Sequence, residues 1–277
     1  MVAFFMATNK QKRFALITEN NSHLTGGRYY SWMLAVAMKE AGFNITVHTN
    51  AEPTFLSFFS EYKQPKVVVH DCDAKSLADI DIKADVYIGS PVNGNLCAIK
   101  NALKYQKQAF PIIFDPLPMI KKYLGKSSFP DWAQLFPLLK NNDLSIITLC
   151  RATHPYIYSW LNKTDDKLIP IYPSINSTAK NKTKPADREN YAVFVSRLVP
   201  NKKFDHVVWA CRQNNLKLKI ITSVSGINHK HISRAYRMNN LIEFIFNSSE
   251  EEKFEVIRKA TVRSEERRVG KECRSRW

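Results

Sequence analysis

The sequence lacks the long apolar runs that cross membranes, because no stretch of consecutive apolar residues is long enough to span a bilayer. Its apolar start, Met1–Ala7, is short, and basic residues follow it rather than precede it, which is not the pattern of a secretory signal. No two of the five cysteines form a C-x-x-C motif. The sequence therefore favours free thiols in a reducing cytoplasm over disulfides or a cysteine metal site.

Several short motifs of known chemistry are also absent. The chain has no G-x-G-x-x-G dinucleotide fingerprint, no P-loop and no G-x-S-x-G nucleophile elbow. His23, His48, His70 and His154 do not form H-x-x-x-H or H-E-x-x-H spacings. We therefore expect no metal site.

The composition is that of a globular protein with a strong positive charge. The chain has 277 residues, which suggests one large or two ordinary domains, and a hydrophobic content of 44% is enough for sizeable cores. The formal net charge of +16 indicates attraction to an anion: nucleic acid, anionic lipid headgroups or phosphorylated substrates.

Strand and helix patterns alternate along the chain. Phe14–Thr18 is predicted to be a strand, Arg28–Ala41 a helix ended by Gly42, and Asn44–Thr49 the next strand. The glycine pair Gly26-Gly27 stands just before that helix, where a phosphate or sugar could approach the backbone closely. A purely structural role in the turn remains the alternative.

Two helix starts further along carry capping signals. Thr153 precedes His154-Pro155 and is placed to cap a helix that runs to about Leu161. Ser248 and Ser249 precede three glutamates, which predicts a capping box opening a helix that runs to Ala260.

The stretch Tyr191–Asp205 reads as a strand, a basic turn and a helix. Tyr191–Val195 is a β-branched and aromatic run, and apolar residues recur at helical spacing from Phe204 onward. The turn between them carries Arg197, Lys202 and Lys203 at a strand end and near a helix N-terminus. Such an edge favours an anionic ligand, although a turn with ordinary solvated charges remains open.

This stretch resembles the donor-phosphate segment of glycosyltransferase family four, whose pattern is a strand, then G/S-R-L-x-x-x-K-x, then a helix. The chain reads S-R-L-V-P-N-K-K over residues 196–203. The resemblance implies that Arg197 and Lys202 bind the donor diphosphate. It extends in order over most of residues 14–262, including L-A-V-A-M at residues 34–38 and G-F-N-I-T-V at residues 42–47.

The resemblance also implies further site residues. Asp115, after the predicted strand Phe110–Phe114, corresponds to a polar residue near the acceptor and is the catalytic candidate. Its place before a proline is also that of a plain turn former. Gly26, Gly27 and Gly226 correspond to loops that approach the donor or acceptor.

The expected domains are an N-terminal acceptor domain over 1–176, a linker over 177–190, and a partial donor domain over 191–262. The last stretch, 263–277, reads R-S-E-E-R-R-V-G-K-E-C-R-S-R-W and resembles the translation of a sequencing adapter, so it is expected to be non-native. The family's next segment, E-x-G-F-G-x-x-x-x-E, does not occur. We therefore expect a C-terminally truncated chain that is inactive or impaired.

The resemblance implies an α/β protein of GT-B fold, with two facing Rossmann-like doubly wound domains, the second incomplete. The implied activity is retaining transfer of a sugar from a nucleotide-sugar donor, with no metal or other cofactor. The acceptor would be a glycan, lipid-linked or phosphorylated molecule, with cytoplasmic location and peripheral contact at the inner face of the membrane. No nucleic acid is expected as a partner. The alternatives are a non-catalytic basic protein that binds nucleic acid, or a GT-B sugar-nucleotide epimerase or phosphorylase.

Overall fold

The computed structural model describes residues 11–20, 26–53, 61–118, 130–172, 188–196, 198, 204–222 and 240–264. These ranges contain eleven β-strands and six α-helices, numbered below in chain order. The chain divides into two compact units, one within Met1–Ser174 and the other within Ile175–Arg268. No helix among these residues is long and apolar enough to cross a membrane.

The first unit is built on a parallel sheet of seven strands in the order β3-β2-β1-β4-β5-β6-β7. Its strands are β1 (Arg13–Thr18), β2 (Asn44–Thr49), β3 (Lys66–Val69), β4 (Val86–Ser90), β5 (Gln108–Ile113), β6 (Ile146–Thr148) and β7 (Leu168–Pro170). Its helices are α1 (Gly26–Glu40), α2 (Val92–Tyr105), α3 (Pro130–Asn141) and α4 (His154–Leu161). The strand order reverses between β1 and β4, as in doubly wound folds.

Both faces of this sheet are buried. Alternate residues of β1 point to opposite sides, so that Leu16 joins a cluster with Trp32 and Val36 of α1, whereas Ile17 joins a second cluster with Leu96 and Ile99 of α2. All six of these side chains are almost fully excluded from solvent. Burial on both faces explains why the strands read as continuous apolar runs.

Helix α2 begins in very close contact with the centre of the sheet. A Cβ atom added to Gly94 would lie 2.4 Å from the carbonyl oxygen of Ile17, and one added to Gly89 would lie 2.5 Å from Cα of Asn95. The buried side chain of Asn95 donates to the carbonyl of Ile112 and accepts from the amide of Ile112, both at 3.0 Å. These contacts fix the start of α2 over the carboxyl ends of β1, β4 and β5.

The second unit has a smaller parallel sheet in the order β10-β9-β8-β11. Its elements are β8 (Glu189–Val195), α5 (Phe204–Gln213), β9 (Lys217–Thr222), β10 (Ile242–Phe246), α6 (Glu250–Lys259) and β11 (Ala260–Ser264). One face packs against α5 through Phe194, Phe204 and Val208. The other face packs against Val256 and Ile257 of α6.

The structure confirms the predicted α/β class and its Rossmann-like parallel sheets. It differs from the predicted boundaries at both ends of the second unit. Strand β8 begins at Glu189, inside the predicted linker, and β11 continues over Arg263 and Ser264, which were assigned to the non-native tail. The backbone of these two residues stays in register with β8, opposite Val193 and Phe194. The domain division and the origin of the tail remain predictions.

Candidate functional site

The carboxyl edge of the first sheet contains the point where the strand order reverses. There β1 ends at Thr18 and β4 ends at Ser90, and these two residues are partners in the parallel register. In open α/β sheets, ligands bind outside the carboxyl ends of the strands at such a point. The candidate site of the first unit is therefore the set of side chains that follow β1, β4 and β5.

The side chain of Glu19, which follows β1, lies at the N-terminus of α2. Its Oε1 accepts a hydrogen bond of 2.8 Å from the amide of Asn93, in the first turn of the helix. A carboxylate at a helix N-terminus is stabilised by the helix dipole. Arg28 also contacts Glu19, since its Nε donates to the Glu19 carbonyl oxygen at 3.4 Å. Burial lowers the pKa of the Arg28 guanidinium, although Glu19 opposes that change. Neither role could be read from the sequence, because Glu19 and Asn93 are far apart in the chain.

The predicted glycines Gly26 and Gly27 are the first two residues of α1. A Cβ atom on Gly27 would lie 3.0 Å from Cε2 of Phe114, so the absence of a side chain lets the helix approach the residue that follows β5. A Cβ atom on Gly26 would meet no atom within 4 Å. Gly27 thus has a packing reason to be glycine, whereas open space surrounds Gly26. A ligand contact at either glycine remains a prediction.

Asp115 is placed at the same edge, two residues beyond the end of β5, and is half-buried. The ring of the preceding residue, Phe114, packs edge-on against Tyr30 of α1, with ring centroids 5.7 Å apart. The Tyr30 hydroxyl donates to the carbonyl of Ile171 at 2.9 Å. The structure therefore brings Gly27 and Asp115 to one edge of the sheet, while the catalytic role of Asp115 stays a prediction.

Two buried serines also lie at this edge and were not predicted. Ser31 Oγ of α1 is 2.9 Å from Ser90 Oγ at the end of β4, and 3.0 Å from the Gly27 carbonyl oxygen. Both side chains are nearly inaccessible to solvent. They join α1 to β4 and so support the position of the glycine pair rather than offer a nucleophile.

A series of three hydrogen-bonded side chains, which we call the relay, resembles the hydroxyl–histidine–carboxylate triad of hydrolases in its order. Thr148 Oγ1 lies 3.0 Å from Nε2 of His154, and Nδ1 of His154 lies 3.1 Å from Oδ1 of Asp165. However, Thr148 is completely buried at the end of β6, and its hydroxyl is already paired with His154. The relay therefore holds α4 to the sheet and does not form an active site.

The carboxyl edge of the second sheet is where the donor site was predicted. The amide of Ser196, just after β8, donates to the Ile221 carbonyl at 3.2 Å, and the amide of Asn247, just after β10, donates to the Thr222 carbonyl at 3.1 Å. Helix α5 begins close by, since the ring of Phe204 is 5.7 Å from that of Phe194 in β8. The predicted ligands Arg197 and Lys202 and the predicted loop glycine Gly226 lie outside the described residues.

The part of the chain that the structure describes contains no group of three or more His, Cys, Asp or Glu side chains able to hold a metal ion. The expectation of catalysis without a metal or other cofactor remains a prediction.

No protein-family model matches this chain, and neither does any curated protein. Solved structures do match. HepE from Anabaena in complex with UDP-glucose aligns with 14% identity and a TM-score of 0.63, over 86% of this chain and 70% of that protein. TarM aligns with 8% identity and a TM-score of 0.64, over 88% and 78%.

The alpha-glucosyltransferase AGT in complex with UDP aligns with 13% identity and a TM-score of 0.56, over 91% of this chain and 73% of that protein. A further structure of that enzyme contains UDP and a 13-mer DNA, so the expectation that nucleic acid takes no part has no support from these similarities. At such low identity the likeness concerns the fold. The chain has the GT-B fold class of these glycosyltransferases.

Proposed function

We propose that this chain is a family-four type glycosyltransferase that moves a sugar from a nucleotide-sugar donor to an acceptor with retention of configuration. The observation that carries the proposal is the succession of β8, the basic turn and α5, in which a helix begins at the carboxyl end of a buried strand. Such a helix start attracts phosphate groups. Structures of proteins with a similar fold contain bound UDP or UDP-glucose.

The distribution of charge along the chain supports a donor site in the second unit. Over residues 1–118, twelve basic residues face ten acidic ones, whereas over residues 175–240 thirteen basic residues face only three acidic ones. The attraction to anions therefore comes mainly from the part of the sequence that contains the predicted diphosphate ligands.

In this proposal Arg197 and Lys202 hold the donor diphosphate and stabilise the negative charge that develops on the leaving group. Gly226 lets the backbone of its loop approach the donor. In the first unit, Gly26 and Gly27 contact a ligand through the first turn of α1, and Asp115 acts near the acceptor. No metal is required, because the two cations neutralise the diphosphate. Turnover by this chain is impaired, since its sequence does not contain the family's E-x-G-F-G-x-x-x-x-E segment.

The acceptor in this proposal is a glycan, or a lipid-linked or phosphorylated molecule, reached in the cytoplasm and at the inner face of the membrane. A nucleic-acid acceptor is the second candidate. The net charge of +16 and the DNA bound in one similar structure favour it.

Binding of nucleotide sugars tests the proposal. The full chain is titrated with UDP-glucose, GDP-mannose and ADP-glucose by calorimetry, and the best ligand is measured again with Arg197→Ala and Lys202→Ala. Each variant should raise Kd about tenfold or more, because a hydrogen bond to a charged group is lost. Lys217→Ala is the matched control, since Lys217 is exposed at the opposite, amino end of β9.

A wild-type chain that binds none of the three nucleotide sugars would contradict the proposal. So would equal losses in all three variants, since these would indicate a diffuse charge effect instead of a site.

A further inference from the structure

Thr222, the last residue of β9, carries a buried hydroxyl that has no hydrogen-bond partner among the residues that the structure describes. The residue is 6% exposed, and within the described ranges Oγ1 has neither a donor nor an acceptor within reach. Most buried polar groups in native proteins are paired, and an unpaired one costs about 1–3 kcal/mol. A bound ligand is one way in which such a group can be paired.

The hydroxyl lies on the side of the sheet that α5 covers. Side chains alternate along β9, so Thr222 shares a face with Leu218 and Ile220. Those two residues belong to the same apolar cluster as Phe204, the first residue of α5. Since Thr222 is at the carboxyl end of β9, its hydroxyl is placed beside the first turn of the helix.

Helix α5 has ten residues, and its dipole places partial positive charge at the helix N-terminus. That end of the helix therefore favours a negatively charged group. A buried hydroxyl beside it can donate its proton to the same anion. The two features therefore point to one ligand of the phosphate type.

The first unit contains a matching threonine that is already paired. Thr49 ends β2, and its carbonyl accepts from the amide of His70 after β3 at 2.8 Å, just as the Thr222 carbonyl accepts from Asn247 after β10. Both threonines are almost fully buried. The Thr49 hydroxyl, however, donates to the Ala51 carbonyl at 3.3 Å. The threonine hydroxyl at this position of the fold is thus hydrogen-bonded within the protein in the first unit, and has no partner among the described residues in the second.

We propose that the Thr222 hydroxyl donates a hydrogen bond to a phosphate oxygen of a nucleoside diphosphate bound at the start of α5. This inference rests on the proposed function and adds a ligand-binding residue to its donor site. The contact is specific to the phosphate groups and does not involve the nucleoside.

The test uses Thr222→Val, which removes the hydroxyl and keeps the shape of the side chain. UDP, GDP, ADP and the matching nucleosides are titrated into the full chain, together with thermal unfolding. For the diphosphate that binds best, Kd should rise about tenfold in Thr222→Val, with no change for its nucleoside. The melting temperature should stay equal or rise, because an unpaired buried hydroxyl has been removed. Thr222→Ser should retain wild-type affinity.

Thr49→Val is the matched control. It should lower the melting temperature of the chain through loss of the bond to Ala51, and it should leave diphosphate affinity unchanged. Unchanged diphosphate affinity in Thr222→Val, with binding by the wild type intact, would overturn this inference alone. A melting temperature lowered by Thr222→Val as by Thr49→Val would also overturn it, since the hydroxyl would then be structural. A wild type that binds none of the diphosphates would overturn both this inference and the proposed function.

Discussion

The two units begin with the same strand arrangement, β3-β2-β1-β4 in the first and β10-β9-β8-β11 in the second, but their carboxyl edges differ. In the first, Glu19 accepts from the start of α2 and the Thr49 hydroxyl donates to a backbone carbonyl. In the second, the buried hydroxyl of Thr222 has no partner within the described part of the chain. The same strand arrangement therefore ends differently in the two units: the threonine hydroxyl at the end of β2 is paired with a backbone carbonyl, whereas the one at the end of β9 has no partner among the described residues.

The largest expected loss of stability comes from disturbing the close contact between α2 and the sheet of the first unit. Gly94→Ala would place Cβ 2.4 Å from the Ile17 carbonyl oxygen, so both backbones must move. We expect the free energy of unfolding of the first unit to fall by about 3 kcal/mol, at the upper end of overpacking costs. This loss of stability is measured by the hydrogen-exchange rates of the backbone amides in β1 and β4.

Gly26→Ala is the control for this prediction, because open space surrounds that glycine. Its stability should change by less than about 1 kcal/mol. Equal losses for Gly94→Ala and Gly26→Ala would mean that α2 is not seated as closely as described.

A smaller effect should appear as a pH dependence of the stability of the first unit. Nδ1 of His48 in β2 lies 3.1 Å from Nε2 of His70, and burial, His70 and Lys66 together lower the pKa of His48 to about 4. Burial also lowers the pKa of His70. The unfolded chain takes up a proton near pH 6.5 and the folded chain does not. Stability is therefore complete above pH 6.5 and should fall by about 3 kcal/mol or less as the pH drops toward 4.

Urea unfolding at a series of pH values measures this dependence. His48→Phe should flatten it between pH 6.5 and 4.5, whereas His206→Gln, at an exposed position of α5, should leave it as in the wild type. A slope unchanged in His48→Phe would show that other groups control the acid sensitivity.

The smallest effect concerns the second unit. Ser249 Oγ accepts from the amide of Glu252 at 3.0 Å and caps α6. Ser249→Ala should cost about 1 kcal/mol, seen as faster hydrogen exchange in α6 with no change in the first unit. Ser248→Ala, one residue earlier, should have little effect. A larger loss of stability in Ser248→Ala than in Ser249→Ala would show that Ser248, and not Ser249, caps α6.

Much of the fold could be predicted, because the ends of several helices are determined by residues close to them in the sequence. Gly42 has the positive φ of 85° expected after α1, and Ser249, one of the two serines predicted to open α6, caps that helix. The prediction that Thr153 caps α4 is wrong. A short 3-10 turn precedes that helix, and Thr153 Oγ1 instead donates to the Cys150 carbonyl at 2.9 Å. The choice of hydrogen-bond partner there depends on the turn that the chain adopts.

The site was less predictable, because its features depend on distant parts of the chain. The contact between Glu19 and Asn93 spans 74 residues, and the Thr222 hydroxyl is buried without a partner among the described residues. No pattern near either residue signals these facts. Arg197 and Lys202, by contrast, were identified from a local motif, and their roles remain predictions.

The most direct test of the account is to map where a nucleotide sugar protects the backbone. Hydrogen exchange of the full chain is compared with and without saturating UDP-glucose, followed by peptide mass spectrometry. The account predicts slower exchange in peptides covering the end of β8, the start of α5 and the end of β9 around Thr222, with no change at the amino end of β9 near Lys217. Protection confined to the first unit, or none at a concentration that saturates binding, would contradict it.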